Sequence, residues 1–287
     1  RRSLIRHGQH RLTTIVSMNG LPNQQENGRQ AYRVRLLFPL DREPLENATF
    51  EIENGRIAAV HVLRDPKAFD LGNVAVIPGL VNAHTHLEFS DLDAPFPTTD
   101  QFTNWIRAVV GHRRNSTFDP NAAIVRGIEE SRQQGIAALG EIATADADYT
   151  QLVTAQAPST VIFRELIGLT EEASSQQLDI ARRFLDRSPQ DSDHIRHALS
   201  PHAPYSVHPQ LFRALAELAT QHEVPIAMHL AETLGEIELL DHGTGEFVDL
   251  LTDFGLWRSD LFDRGTRPLD YLRPLAEAPS ALIIHGN

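Results

Sequence analysis

A chain of 287 residues and 32.0 kDa has room for one large α/β domain, or for one domain with a small companion. Its 26 Lys and Arg against 38 Asp and Glu leave a formal charge of −12 with no basic run, which argues against nucleic-acid and anionic-membrane partners. The absence of cysteine excludes disulfides, thiolate-held metals, iron–sulfur clusters, thiol nucleophiles and the zinc deaminases built on Cys and His. No apolar run approaches the ~18 residues of a membrane helix. The opening RRSLIRHGQHRL lacks the apolar core of a signal peptide, so a cytoplasmic location is expected. The first residue is not Met, which reads as a fragment or a trimmed terminus.

Residues 1–30 are polar and rich in turn formers, and read as an irregular lead-in. From Tyr32 the pattern alternates. YRVRLLFPL reads as a strand, and ATFEIENGRIAAVHVL as two more around Asn54-Gly55, a hairpin signal. Residues 31–77 are therefore expected to form a small antiparallel β unit. VAVIPGLVNAHTHLEF then runs as one apolar stretch, typical of a strand covered on both faces. Beyond it helices are predicted over 101–114, 120–135, 171–187, 208–222, within 234–255 and over 268–277. Strands are predicted over 136–143, 160–168, 195–203, 224–232 and 281–287. This βα alternation predicts a parallel α/β fold, most simply a (β/α) barrel over residues 78–287.

The predicted strands end in ionisable residues: His84 and His86, Glu141, Arg164 and Glu165, His202, His229 and Glu232, His285. Barrel active sites are built at those ends. With 14 His in the chain a lone imidazole says little, but His84 and His86 lie two apart on one strand and face the same side, within reach of one metal. His229 is the candidate third ligand; three protein ligands and an open position are the catalytic style of metal site. Glu232, three residues on, is the candidate general base and then acid. His285 is placed to orient the attacking hydroxide or polarise substrate. His202, between prolines in SPHAPYSV, is a candidate substrate contact, as are Glu88, Trp105, Arg107 and Arg164. Arg164 and Glu165 point to opposite faces, so only one can face the mouth.

PGLVNAHTHLEFS strongly resembles the metal-dependent amidohydrolase superfamily, and SPHAPYSV, MHLAET and IIHGN resemble its chlorohydrolase and deaminase branch. The resemblance runs from about Tyr32 to Asn287. It implies a (β/α)8-type TIM barrel preceded by half of a small β-sandwich. It implies one divalent metal, zinc or alternatively iron, held by His84, His86, His229 and an Asp from the last barrel strand. Glu232 would shuttle protons, His285 orient the hydroxide and His202 contact substrate. The implied reaction is hydrolytic deamination of a purine-like or other nitrogen heterocycle by a metal-activated hydroxide. Halide release or cyclic amide hydrolysis on the same site is the alternative, and a homodimer is plausible. Superfamily members with two metals commonly bridge them with a carboxylated Lys on a mid-barrel strand. The only Lys here is Lys67, ahead of the first metal strand, so a mononuclear site is expected.

Only six barrel strands are predicted before Asn287, where eight close a barrel. The Asp of the last strand is absent from these residues. The expectation is therefore a truncated barrel with little or no activity of its own, or an inactive relative serving as an interaction protein.

Overall fold

The computed structural model describes residues 13–14, 28–54, 56–63, 65–97, 99–115, 119–144, 147, 149, 157–186 and 194–287. By contact the chain divides into two units, residues 1–80 with 133–136, and residues 81–132 with 137–287.

The first unit is a six-stranded sheet: β1 (Thr13–Thr14), β2 (Gln30–Leu37), β3 (Leu45–Glu53), β4 (Arg56–His61), β5 (Phe69–Asp70) and β6 (Val74–Val76). The expected hairpin is present: β3 and β4 pair antiparallel with Glu53 opposite Arg56, and Asn54 takes the φ of 51° that such a turn requires. The partner turn residue, Gly55, lies outside the described residues. Alternation along β2 and β3 buries Tyr32, Val34, Phe50 and Ile52 on one face, where the Tyr32 and Phe50 rings stack with centroids 5.5 Å apart. Two expectations need correction. The sheet is mixed, because β5 and β6 both run parallel to β2. The lead-in also supplies a strand, since Thr13 and Thr14 pair with Val74 and Ala75. Local pattern shows a strand but not the distant strand it pairs with. Most of the remaining lead-in lies outside the described residues.

The apolar run from Val74 serves two sheets. It ends β6 at Val76, breaks at Pro78-Gly79 and resumes as β7 (Leu80–Thr85). The second unit carries the six-stranded sheet β7, β8 (Ile136–Ala143), β9 (Ser159–Leu166), β10 (Ile195–Pro201), β11 (Ile226–Leu230) and β12 (Ala281–His285), adjacent in chain order. The pairs from β8 to β12 are parallel. With its helices this is an incomplete (β/α)8 barrel, six strands among the described residues. Ile142, Phe163, Ala198, Ala227 and Ile284, one from each of β8 to β12, form an interior layer in which small and large side chains interdigitate. Gly140 is required on β8, because a Cβ there would lie 2.1 Å from the Ala83 carbonyl oxygen on β7.

The helices are α1 (Phe102–Asn115), α2 (Pro120–Gln133), α3 (Glu171–Leu185), α4 (Pro209–Gln221), α5 (Leu234–His242), α6 (Glu246–Asp253) and α7 (Pro268–Leu275). Helix α4 shows why they form. The His208 side chain accepts the Gln210 N–H, Pro209 opens the first turn, and Leu211, Leu215 and Leu218 with Phe212, Ala216 and Ala219 make one buried stripe. The stretch 234–255 forms two helices because Gly243 caps α5 in the left-handed conformation, φ 65°. Among the described residues no helix is long and apolar enough to cross a membrane.

Candidate active site

His84 lies on β7 and His86 directly follows its end, as the two-residue spacing predicts. Their Nε2 atoms are 3.3 Å apart, and His229 Nε2, from β11, is 3.1 Å from His84 Nε2. His229 Nδ1 faces the His202 carbonyl at 3.1 Å and so carries the ring proton, leaving Nε2 to present its lone pair. Burial holds all three imidazoles neutral. His84 is lowered to about 4 by burial and then by the charge of His86. His86 is lowered by burial, and His229 by burial and then by His202, His86 and His84. Neutral imidazoles are the ligating form. The donor set fits a divalent ion: tetrahedral zinc with Zn–N bonds of about 2.0–2.1 Å has N···N edges of roughly 3.3–3.4 Å. Glu165, His202 and His229 form a second cluster, with ligand atoms within 4.8 Å of one another, but the single free nitrogen of His229 serves only one ion.

Glu232, just beyond β11, is held at both oxygens. Tyr205 donates its hydroxyl to Oε2 at 2.9 Å, and His285 Nε2 lies 3.0 Å from Oε1. Burial lifts this carboxyl to about 7, against the lowering effect of the Tyr205 bond. The His285 ring centroid is 5.8 Å from that of His84 and 5.6 Å from that of His229, and burial lowers its pKa. These groups line one cavity of 630 Å³, together with His202. The far wall is apolar: Phe102 and Trp105 stack on α1 with centroids 5.4 Å apart, and Leu251 and Phe254 face it from α6 and the turn after it.

Residues 75–260 match the amidohydrolase family. The chain belongs to that family. It is 29% identical over 184 residues to aminodeoxyfutalosine deaminase of a Nitratiruptor species, covering 63% of this chain and 45% of that one. It is 29% identical over 209 residues to 5-methylthioadenosine/S-adenosylhomocysteine deaminase of Nitratidesulfovibrio vulgaris, covering 68% and 47%. The chain thus spans about half the length of these relatives. In fold it resembles Helicobacter pylori aminofutalosine deaminase, with TM-score 0.70, 22% identity, and 86% of this chain and 60% of that one covered. It also resembles the zinc complex of atrazine chlorohydrolase from Arthrobacter aurescens, with TM-score 0.60, 22% identity and 88% and 64% covered.

In this amidohydrolase the structure gathers His84, His86, His202, His229, Glu232, His285 and Trp105 around the cavity. Glu88 and Arg164 do not line it, which corrects the expectation that they face substrate. Glu88 sits in the 3₁₀ turn Leu87–Phe89, which turns its side chain inward to pair with Arg113, and it is 4% exposed. On β9 the outer position falls to Arg164 and the inner to Glu165, which lines the cavity. Arg107, on α1, pairs with Asp253 at 2.6 Å and also lies off the cavity.

Sequence reasoning missed a polar chain that reaches the cavity wall through Arg113 and Glu165. Arg113 donates to Thr144 Oγ1 at 3.1 Å, and Thr144 donates to Glu165 Oε2 at 2.5 Å. Burial pushes Glu165 up, but His202, His86, Thr144 and Arg113 outweigh it and hold the carboxyl below its ordinary range. It also missed Tyr205 and Glu236. Tyr205 sits in the quoted SPHAPYSV, and Glu236 completes a capping-box pattern with Thr233, so both carried a local signal.

Glu141 points behind the site. It accepts the Leu87 N–H at 2.9 Å and the Tyr149 hydroxyl at 2.8 Å, which fixes the backbone just after His86. Burial lifts it to about 8, from an ordinary 4.5, in spite of both bonds. A carboxyl raised in the folded state contributes stability that is intact below its unfolded value and lost as pH rises through its folded value. Glu141→Gln keeps an acceptor for Leu87 and gains a donor for Tyr149. Thermal melts of the two proteins are therefore expected to diverge in favour of the variant between pH 5 and pH 9. Parallel melting curves across that range would contradict the assignment.

Proposed function

We propose that this amidohydrolase is a metal-dependent deaminase of a purine-like nitrogen heterocycle. The observation that carries the reading is the approach of Glu232 and His285 to the same cavity as the three facing imidazole nitrogens. His84, His86 and His229 would hold a divalent metal, zinc or iron, which would supply the Lewis acidity that makes water a nucleophile near neutral pH. Glu232 takes a proton from the attacking water and delivers it to a ring nitrogen as the water oxygen bonds to the amino-bearing carbon. The proton of the new hydroxyl then passes through Glu232 to the amino group, the C–N bond breaks to release ammonia, and the ring carbon becomes a carbonyl. Tyr205 and His285 hold the two Glu232 oxygens through these transfers, His202 contacts the ring, and the Phe102–Trp105 wall covers its face. The deaminase names of the relatives support this substrate class.

The test is ammonia release from adenine nucleosides by the longest reading frame containing these residues, loaded with zinc. Chloride release from chlorinated triazines without ammonia from any nucleoside would transfer the reading to the chlorohydrolase alternative. Because Glu232 must be ionised to take the first proton and burial raises it to about 7, kcat/KM is expected to rise with pH through that region. A profile flat from pH 5.5 to 8.5 would remove Glu232 from the base role.

A further inference from the structure

The chain leaves β11 sharply. Glu232 comes only three residues after His229, yet its carboxyl returns to the cavity that His229 lines. The turn is made at Ala231, whose φ of 54° lies in the left-handed region that a residue with a Cβ adopts only against strain. Something must hold it. Glu236, on the first turn of α5 and fully buried, places one carboxylate oxygen on the Ala231 N–H at 2.9 Å and the other on the Glu232 N–H at 3.0 Å.

These bonds do not serve the helix. Thr233 is the N-cap and accepts the Glu236 N–H at 3.2 Å. In an ordinary capping box the Glu side chain would reach back to the N-cap N–H. Here it reaches past Thr233 to the two residues before it. The carboxylate is therefore spent on the turn that carries Glu232. The same turn is tied to β12 through Gly286 N–H to the Leu230 carbonyl at 2.9 Å and Asn287 N–H to the Ala231 carbonyl at 3.3 Å.

We infer that Glu236 is the positioning residue for Glu232: its carboxylate clamps the left-handed turn at Ala231 and thereby sets where the proton-carrying carboxyl stands against the three imidazoles. The inference rests on the proposed role of Glu232. Glu236 does not line the cavity, and its carboxylate bonds go to the backbone N–H groups of Ala231 and Glu232. An amide cannot replace it, since Gln has one acceptor oxygen and would set an N–H against the second backbone N–H.

The experiment compares Glu236→Gln with the parent and with the Glu236→Gln, Ala231→Gly double variant, in the zinc-loaded protein. Misplacing a catalytic group by ~1 Å costs on the order of a hundredfold. Glu236→Gln is expected to lower kcat by about 10- to 100-fold, with KM within about twofold and zinc binding unchanged. Glycine accepts a positive φ without strain, so Ala231→Gly in that background is expected to restore most of the lost kcat. A role confined to stabilising α5 predicts no such rescue. Parental kcat in Glu236→Gln, or a loss shared by kcat, KM and zinc affinity that Ala231→Gly leaves unrepaired, would overturn the inference. Hydrogen exchange at the Ala231 and Glu232 amides reads the clamp without turnover. Unchanged protection in Glu236→Gln overturns it even where no ammonia is released. Lost protection in a protein that releases no ammonia sustains the clamp and instead overturns the deaminase reading.

Discussion

Replacing Glu232 by Gln is expected to lower kcat by about 10²- to 10⁴-fold, the usual contribution of a positioned acid–base group, and to leave zinc binding intact. The size follows from the site. Glu232 is the carboxyl lifted to about 7, with Tyr205 on one oxygen and His285 on the other. A group poised near the working pH can both take and return a proton, and the amide can do neither. Glutamine is nearly isosteric and can still accept the Tyr205 hydroxyl, so packing and substrate binding survive and the loss falls on kcat. Steady-state kinetics with parallel zinc titration checks this. A variant retaining more than about a tenth of parental kcat would mean that another group moves the protons.

His229→Ala is expected to reduce turnover to background and to remove the metal-dependent gain in thermal stability. His229 is the candidate third ligand: its Nε2 faces His84 at 3.1 Å, and its Nδ1 bond to the His202 carbonyl fixes the ring in the ligating tautomer. Removing it leaves His84 and His86, at the end of β7 and just past it, which cannot complete a three-ligand set. Metal that binds only the folded protein stabilises it by about 2.7 kcal/mol at a hundred times its dissociation constant. Zinc is therefore expected to raise the melting temperature of the parent, and EDTA to reverse the gain. The variant is expected to show neither shift, and excess zinc is expected not to restore turnover. An equal zinc-dependent shift in both proteins would place the metal elsewhere.

The candidate ligands are legible in the sequence because the alternation of a strand is strict. His84 and His86 were read to one face, and the geometry has them there. The βα order, the Asn54-Gly55 hairpin and the polar strand ends were legible for the same reason: each is a local pattern. Glu88 and Arg164 show where that logic stops. Glu88 lies past the strand in a 3₁₀ turn, where alternation no longer predicts direction. Arg164 and Glu165 were known to oppose each other, but only the register of β9 in the barrel decides which is inside. The mixed pairing of the first sheet and the strand at Thr13 depend on partners about 40 to 60 residues away, which no window of sequence contains. Glu236 was visible as a capping signal, but its reach back to Ala231 and Glu232 was not.

The measurement that bears most directly on the metal centre is a calorimetric zinc titration of the purified chain beside His84→Ala, His86→Ala and His229→Ala. Convergence of the three imidazole nitrogens predicts one zinc per chain and a loss of that binding in each single variant. Binding that survives in any of the three, or no saturable binding in the parent, would contradict the site from which the proposed chemistry is built.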